Sequence, residues 1–379
     1  MLFALLATAC LASWQALTVH YSYGGNWTGL FCTGSINQEI PPALASEHIY
    51  RFPDSVGYDG QFYHFIAHDP LLRRNFKAFV DDPRYRYPRI LVPGLAFLLA
   101  FGNDARIDAA YICVVWLSVF LGSYWFGRYA ILYGYPARLA ILFALAPAVL
   151  VSIDRLTVDA ALAACTAGFA LFTNGRSHYK LYALLAAAGL ARETGLLLLA
   201  AWCIFLIGKR LWLQAAIFAT AGLPAACWFL FVRLHTPPHE FETVSLSLFT
   251  GIAGRFLHPF PYPFGGAVKI LAVALDLLAL TGIAAALAWA GYRAWRRAWT
   301  PVTIAIYLFA LLTIALSTPA AWSEVYAFGR ALTPLAMLAA LDGLTVGTAV
   351  PILFMLAIDP RIGLQMGDQV LNAMRGLIG

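Results

Sequence analysis

The sequence predicts an all-α polytopic membrane protein: a single transmembrane helical bundle over residues 1–379, of about 9–11 helices by run length. Three observations predict it. Of the 379 residues, 61% are hydrophobic and only 12% charged, roughly half the charged share of an ordinary soluble domain. Apolar runs of about 20 residues, each enough to carry a helix across roughly 30 Å of hydrocarbon, recur along the chain. The runs are continuous and rich in Ala and Leu, whereas the strands of a membrane barrel alternate apolar and polar residues.

Taken in order, candidate spans fall near residues 2–19, 107–129, 138–152, 157–174, 180–208, 211–233, 268–291, 300–317 and 331–358. The opening MLFALLATACLASWQALTVHY could be a cleaved signal, or a lipoprotein signal ending at LATAC with Cys10 modified. No positive residue precedes its apolar run, so a retained first helix is expected. The run at 180–208 is broken by Arg192-Glu193 and reads as two short helices meeting at that charged point. The last run reads as one pass or as two hinged near Gly347 and Pro351. The cysteines carry no metal or redox spacing, and the sequon at Asn26 is a three-residue match of little weight.

Short basic loops set the sides. Arg128 and Arg138, Arg176 and Lys180, Lys209 and Arg210, and Arg293, Arg296 and Arg297 are placed in the cytoplasm by the positive-inside rule, and the spans alternate correctly between them. The formal charge of +6 is thereby assigned to topology and anionic lipid; with no compact basic domain, no nucleic-acid partner is expected. The opposite loops then gather on the outer face. They are the first extracytoplasmic segment 20–106, the turn 152–159, the Arg192-Glu193 break, a second outer loop at 234–267, and 318–330.

Segment 20–106 is too long to be a connector. In GYDGQFYHFIAHDP, residues 57–70, a helix is expected from near Asp59 to His68, stopping before Pro70, with Phe62, Tyr63 and Phe65 lying in the headgroup zone. Asp59 then sits at or next to the N-cap, and a capping role is the plain alternative to a chemical one. His64 and His68, four apart, share a helix face as metal ligands do, yet no third ligand stands at a telling distance. No metal site is therefore assigned, and both read as polar contacts. Ile90–Phe101 is too short to span and reads as an interfacial helix led by Tyr87-Pro88-Arg89.

This order of features resembles the GT-C superfamily of integral membrane glycosyltransferases. The pattern Asp59, Gly60, Tyr63, Ile66, Ala67, followed by RLTVDAALA at 155–163, LARETGLLL at 190–198 and YAFGRALTPL at 326–335, is similar to bacterial polyprenyl-phosphate-sugar-dependent enzymes and more distantly to the mannosyltransferases of GPI-anchor assembly. The resemblance covers most of the chain through short motifs in a fixed order. It implies transfer of one sugar from a polyprenyl-phosphate donor to a glycan or glycolipid acceptor, on the periplasmic face of a bacterial inner membrane. Asp59 matches the catalytic acid of the first outer loop. The family often carries two neighbouring acids there, where this chain has Gly60; the acceptor and any divalent-metal requirement stay open.

An acceptor hydroxyl needs a base and a departing phosphate needs cations. Asp59 is the candidate general base, and Arg330, Arg192 and Arg89 are the candidate phosphate ligands. Tyr58, Gln61, Tyr63, His64, Asp69, Asp154, Glu193 and Glu324 are expected to line the cleft, while His235, His239, Glu240, Glu242 and His258 are expected to shape an acceptor surface. Structural alternatives are a pairing of Arg192 with Glu193 or Asp154, an Arg155–Asp154 pair, and a snorkelling Arg330. A lipid-linked glycan ligase or polymerase and a transporter are the rival functions; no internal repeat supports the latter.

Overall fold

The structure, a computed structural model, describes residues 1–36, 38–175, 177–238, 247–263 and 265–378. Arg176, His239, Glu240 and Glu242 lie outside the described residues. The protein is an all-α membrane bundle: five helices are long and apolar enough to cross a membrane among the described residues, six if one bent pair counts as a span.

Helix α1 (Leu2–Ser22) is followed by the long outer segment. There two-residue strands β1 (Thr33–Gly34) and β2 (Arg51–Phe52) pair in parallel, a 3-10 turn spans Pro42–Glu47, and helices α2 (Asp59–His68), α3 (Pro83–Arg86) and α4 (Leu91–Leu99) lead into the bundle. α5 (Asp104–Leu132) is a full span whose N-terminus is capped by the Asn103 side chain accepting from the Ala105 N–H. The chain then continues as a 3-10 stretch Ala137–Leu145 and α6 (Pro147–Arg155), bent by 56°. The sequence expects one run at 138–152. The bend falls where Pro147 holds Ala146 extended, at φ −62° and ψ 134°.

Helices α7 (Asp159–Thr173), α8 (His178–Ala191) and α9 (Leu196–Gly208) are shorter, and α8 and α9 are the two halves expected of the 180–208 run. Between them Arg192 is fully extended, at φ −161°, and a 3-10 turn covers Glu193–Gly195. The halves meet closely, since a Cβ on Gly195 would stand 2.0 Å from the Ala188 carbonyl oxygen. Gly195→Ala is expected to destabilise the protein by about 1–3 kcal/mol, as overpacking does. Thermal melting in detergent checks this, and an unchanged midpoint would contradict the close approach.

The remaining helices are α10 (Trp212–Ala219), α11 (Leu223–His235), α12 (Thr250–Leu257), α13 (Gly266–Trp295), α14 (Pro301–Ala315) and α15 (Val325–Thr345). α15 runs through the centre, buried along nearly its whole length. A turn at Gly347, φ +80°, ends that pass. The rest of the expected 331–358 run holds no second long helix but only the short α16 (Ile352–Leu356), and beyond it come α17 (Asp359–Gln365) and α18 (Gly367–Ile378). Pro351 and Pro360 punctuate this return. Gln369 on α18 ends beside Tyr23 and Asp154.

Arg128, Asn174 and Lys180 line the same end of one groove, and the Tyr133 hydroxyl donates to Asn174 at 3.2 Å. At the opposite end lie Asp59, Asp159, Arg192 and Arg330 in mutual contact.

One expectation is corrected. α2 does not lie on a lipid interface: every residue from Gly60 to His68 is buried. The outer segment, α4 and α5 fold around it, so its aromatic rings fill a protein core. Gly60 allows this, because a Cβ there would stand 2.1 Å from the Arg155 carbonyl oxygen.

Candidate functional site

The Asp59 carboxylate does not cap its helix. Tyr58 holds the N-cap position with no side-chain capping bond, and Asp59 is the first helical residue. Its Oδ2 instead accepts from Arg330 and, at 2.8 Å, forms an ion pair with Nη1 of Arg86. Burial alone would raise the Asp59 carboxyl; Arg330 and Arg86 override it and hold it well below the usual carboxylate range.

Each arginine continues the network. Arg86, on α3, also grips Asp81 through two nitrogens at 3.0 and 2.8 Å. Arg330, in the second turn of α15, divides its fork between Asp59 and Asp159, the latter at 3.3 Å. Asp159 opens α7 and also receives Arg192 from the α8–α9 break. Arg192 Nε stands 3.8 Å from Glu193, and Glu193 takes a bidentate pair from Arg89 at 2.8 and 3.0 Å. The third Arg89 nitrogen donates to the Tyr63 hydroxyl at 3.0 Å, one helical turn beyond Asp59. The contacts thus form an open chain in which four guanidiniums alternate with the carboxylates of Asp59, Asp159 and Glu193, and helix α2 carries both Asp59 and the Tyr63 at its far end.

Burial of this much charge is costly, and buried pairs are weak evidence for stability. Arg89 is buried, whereas the Glu193 side chain is 40% exposed and the chain of charges therefore meets an open face. The Nε groups of Arg330 and Arg192 have no hydrogen-bond partner among the described residues. The Arg330 guanidinium lies 5.0 Å above the Tyr58 ring, whose buried hydroxyl also lacks a hydrogen bond. Spare donors remain at the arginines that touch the acids.

One hollow opens on the charged chain and a second begins two residues past Arg89. A cavity of about 820 Å³ opens onto Tyr58, Asp59 and Arg86 and is walled by the outer segment, including Ser35, Gln38 and Phe79. An apolar groove of about 740 Å³ starts at Leu91 and Leu95, just past Arg89, and follows α5, α7 and α8 to Arg128 and Lys180 at the other end.

Of the cleft residues expected from sequence, Tyr58, Tyr63 and Glu193 join Asp59 and the three arginines. Glu324 directly precedes α15, and burial pushes its carboxyl up against the pull of Arg361, Arg330 and Arg155. Gln61 lines the Asp59 cavity as expected, and the rest are engaged elsewhere. Gln61 accepts from the Gly34 N–H and donates to the Val56 carbonyl, both at 3.0 Å, pinning the loop over α2. Asp69 accepts from the backbone N–H groups of Arg73, Arg74 and Phe76, which makes it the staple of a turn. Asp154 is bound by Arg155, Tyr326 and Gln369 in a neighbouring cluster. His64 turns away to Asp108 on α5, at 2.7 Å. His235 bonds the Phe231 carbonyl, and His258 ends α12.

The structural alternatives divide as well. Arg155 does pair with Asp154; Arg192 pairs with Asp159 and, at 3.8 Å, with Glu193 but not with Asp154; and Arg330 is held between two acids and does not snorkel. Sequence reasoning left Arg86 and Asp159 outside the site. Asp159 lies in the RLTVD turn and Arg86 in the YRYPR run, so the sequence points to their segments; nothing local shows which arginine of that run faces an acid.

No protein-family model, curated protein or solved structure matches the chain.

Proposed function

We propose that this end of the bundle is the active site of a GT-C-type glycosyltransferase. It takes a polyprenyl-phosphate sugar and passes the sugar to a glycan or glycolipid acceptor on the non-cytoplasmic face of a bacterial inner membrane. The observation that carries this is the position of Asp59. It faces a cavity large enough for sugars while gripped by two members of a four-arginine chain, and an apolar groove begins at Leu91, two residues beyond Arg89.

In this account the polyprenyl chain lies in the groove and its phosphate lies among Arg89, Arg192 and Arg330. Guanidinium forks suit phosphate oxygens, and the unpartnered Nε groups supply donors without breaking existing bonds. While Arg330 and Arg86 hold it, Asp59 is a weak base. An arriving phosphate takes a share of Arg330 and places negative charge nearby, and both effects raise the proton affinity of Asp59. The acceptor hydroxyl then gives its proton to Asp59 as its oxygen bonds the anomeric carbon. The bond from that carbon to the phosphate oxygen breaks, and its electron pair leaves with polyprenyl phosphate. A single displacement inverts the anomeric centre. Tyr63, through Arg89, ties the phosphate end of the chain of charges to the helix that carries the base.

Binding of polyprenyl phosphate tests the donor half. Purified protein in nanodiscs is expected to bind a long-chain polyprenyl phosphate more tightly than farnesyl phosphate and far more tightly than the neutral alcohol. Equal affinity for alcohol and phosphate would remove the chain of arginines from donor binding.

A further inference from the structure

We infer that Glu47, His64, His68 and Asp108 form a zinc site, separate from the Asp59 centre and independent of the function proposed for it. The four residues come from three segments: Glu47 ends the 3-10 turn Pro42–Glu47, the histidines sit one turn apart on α2, and Asp108 lies in the first turns of α5.

Their ligand atoms converge. His64 Nε2 lies 2.7 Å from Asp108 Oδ1 and 3.3 Å from His68 Nε2. Glu47 Oε2 lies 3.9 Å from His64 Nε2 and 3.8 Å from His68 Nε2, and His68 Nε2 lies 3.9 Å from Asp108 Oδ1. Ligands about 2.0–2.1 Å from a tetrahedral zinc stand about 3.3–3.4 Å apart, and these separations bracket that value.

Three further observations point to a cation. First, Glu47 Oε2 is buried and has no hydrogen-bond partner among the described residues, although it faces two imidazoles. Second, His68 Nδ1 is held at 2.8 Å by Asp104, which is itself held by Arg74 at 2.7 Å. A carboxylate on the far ring nitrogen is the arrangement that turns the other nitrogen's lone pair toward a metal. Third, the charges balance. Glu47, Asp104 and Asp108 contribute three negative charges and Arg74 one positive, so a divalent ion with neutral imidazoles closes the sum.

Protons serve less well, because fully protonated rings would point two N–H groups at each other across 3.3 Å. Two imidazoles also select against magnesium and calcium, which prefer an all-oxygen shell. Four protein donors leave no open position, so the ion clamps and does not activate water. It ties the outer segment and α2 to α5. His64 lies five residues from Asp59, about 7.5 Å along the helix axis, and the clamp thereby fixes the helix that presents Asp59.

The test is the metal content of the full chain, prepared with an affinity tag free of histidine and dialysed against a weak chelator. About one zinc per chain is expected by mass spectrometry, and cobalt in its place should give the intense visible bands of a tetrahedral site. Stripping the metal with a strong chelator should lower the melting temperature of the wild type, and zinc should restore it. His68→Ala is expected to lose the ion, and Asp104→Asn to bind it about 10–100-fold more weakly. Wild-type protein that carries no stoichiometric metal and gives no cobalt bands overturns the assignment. So does full zinc retention in His68→Ala. If the variants do not fold, the wild-type content and cobalt spectrum decide alone.

Discussion

Asp59→Asn is expected to lower sugar transfer by about 10²–10⁴-fold, the usual contribution of a positioned general base. The fold should survive the change, because each arginine that grips Asp59 keeps a second acid: Arg330 keeps Asp159 and Arg86 keeps Asp81. The comparison is made at matched expression and melting temperature. A pH profile adds a second check. A carboxyl held below the ordinary value of about 3.9 stays ionised as pH falls through the neutral range, so kcat/KM, which reports the free enzyme, should show no acid limb from Asp59. Once phosphate shares Arg330 the carboxyl rises, and the acid limb should appear in kcat at higher pH. Transfer undiminished in Asp59→Asn would leave Asp59 a purely structural counter-charge.

Arg330→Lys is the second large effect. Arg330 touches both Asp59 and Asp159, and its planar fork reaches both at once. A lysine keeps the charge and loses the fork. Loss of a preorganised donor to a developing oxyanion costs about 10²–10³-fold in kcat, and that is the fall expected here, with weaker polyprenyl phosphate binding. Steady-state kinetics with one donor would measure it. Wild-type kcat in Arg330→Lys would show that charge alone suffices and that the fork has no part in the reaction.

The sequence exposes some of this directly and hides the rest for physical reasons. Two adjacent charges inside a 29-residue apolar run cannot sit in mid-hydrocarbon, so Arg192-Glu193 marks the α8–α9 break without any structure. Alternation of basic loops likewise puts Asp59, Arg192 and Arg330 at one end before a contact is seen. The packing of α2 is less legible: rings at Phe62, Tyr63 and Phe65 look the same whether a helix lies on lipid or fills a folded loop, and only the surrounding segment decides. Pairings across the chain are hidden altogether. Asp108 reaches His64 across 44 residues, and Glu193 reaches Arg89 across 104. Local spacing carries no trace of either, which is why the histidine pair seemed to lack further ligands. Asp69 misleads for the opposite reason: its polar type fits a cleft and equally fits a turn, and backbone N–H groups claim it.

The most direct measurement is turnover by wild-type protein in proteoliposomes given a panel of radiolabelled polyprenyl-phosphate sugars, with and without membrane glycolipid extract as acceptor. The account predicts that at least one donor is consumed, that polyprenyl phosphate is released one for one with sugar transferred or hydrolysed, and that the product carries the inverted anomeric configuration. Failure of every donor to turn over, with the protein folded and polyprenyl phosphate bound, would contradict it.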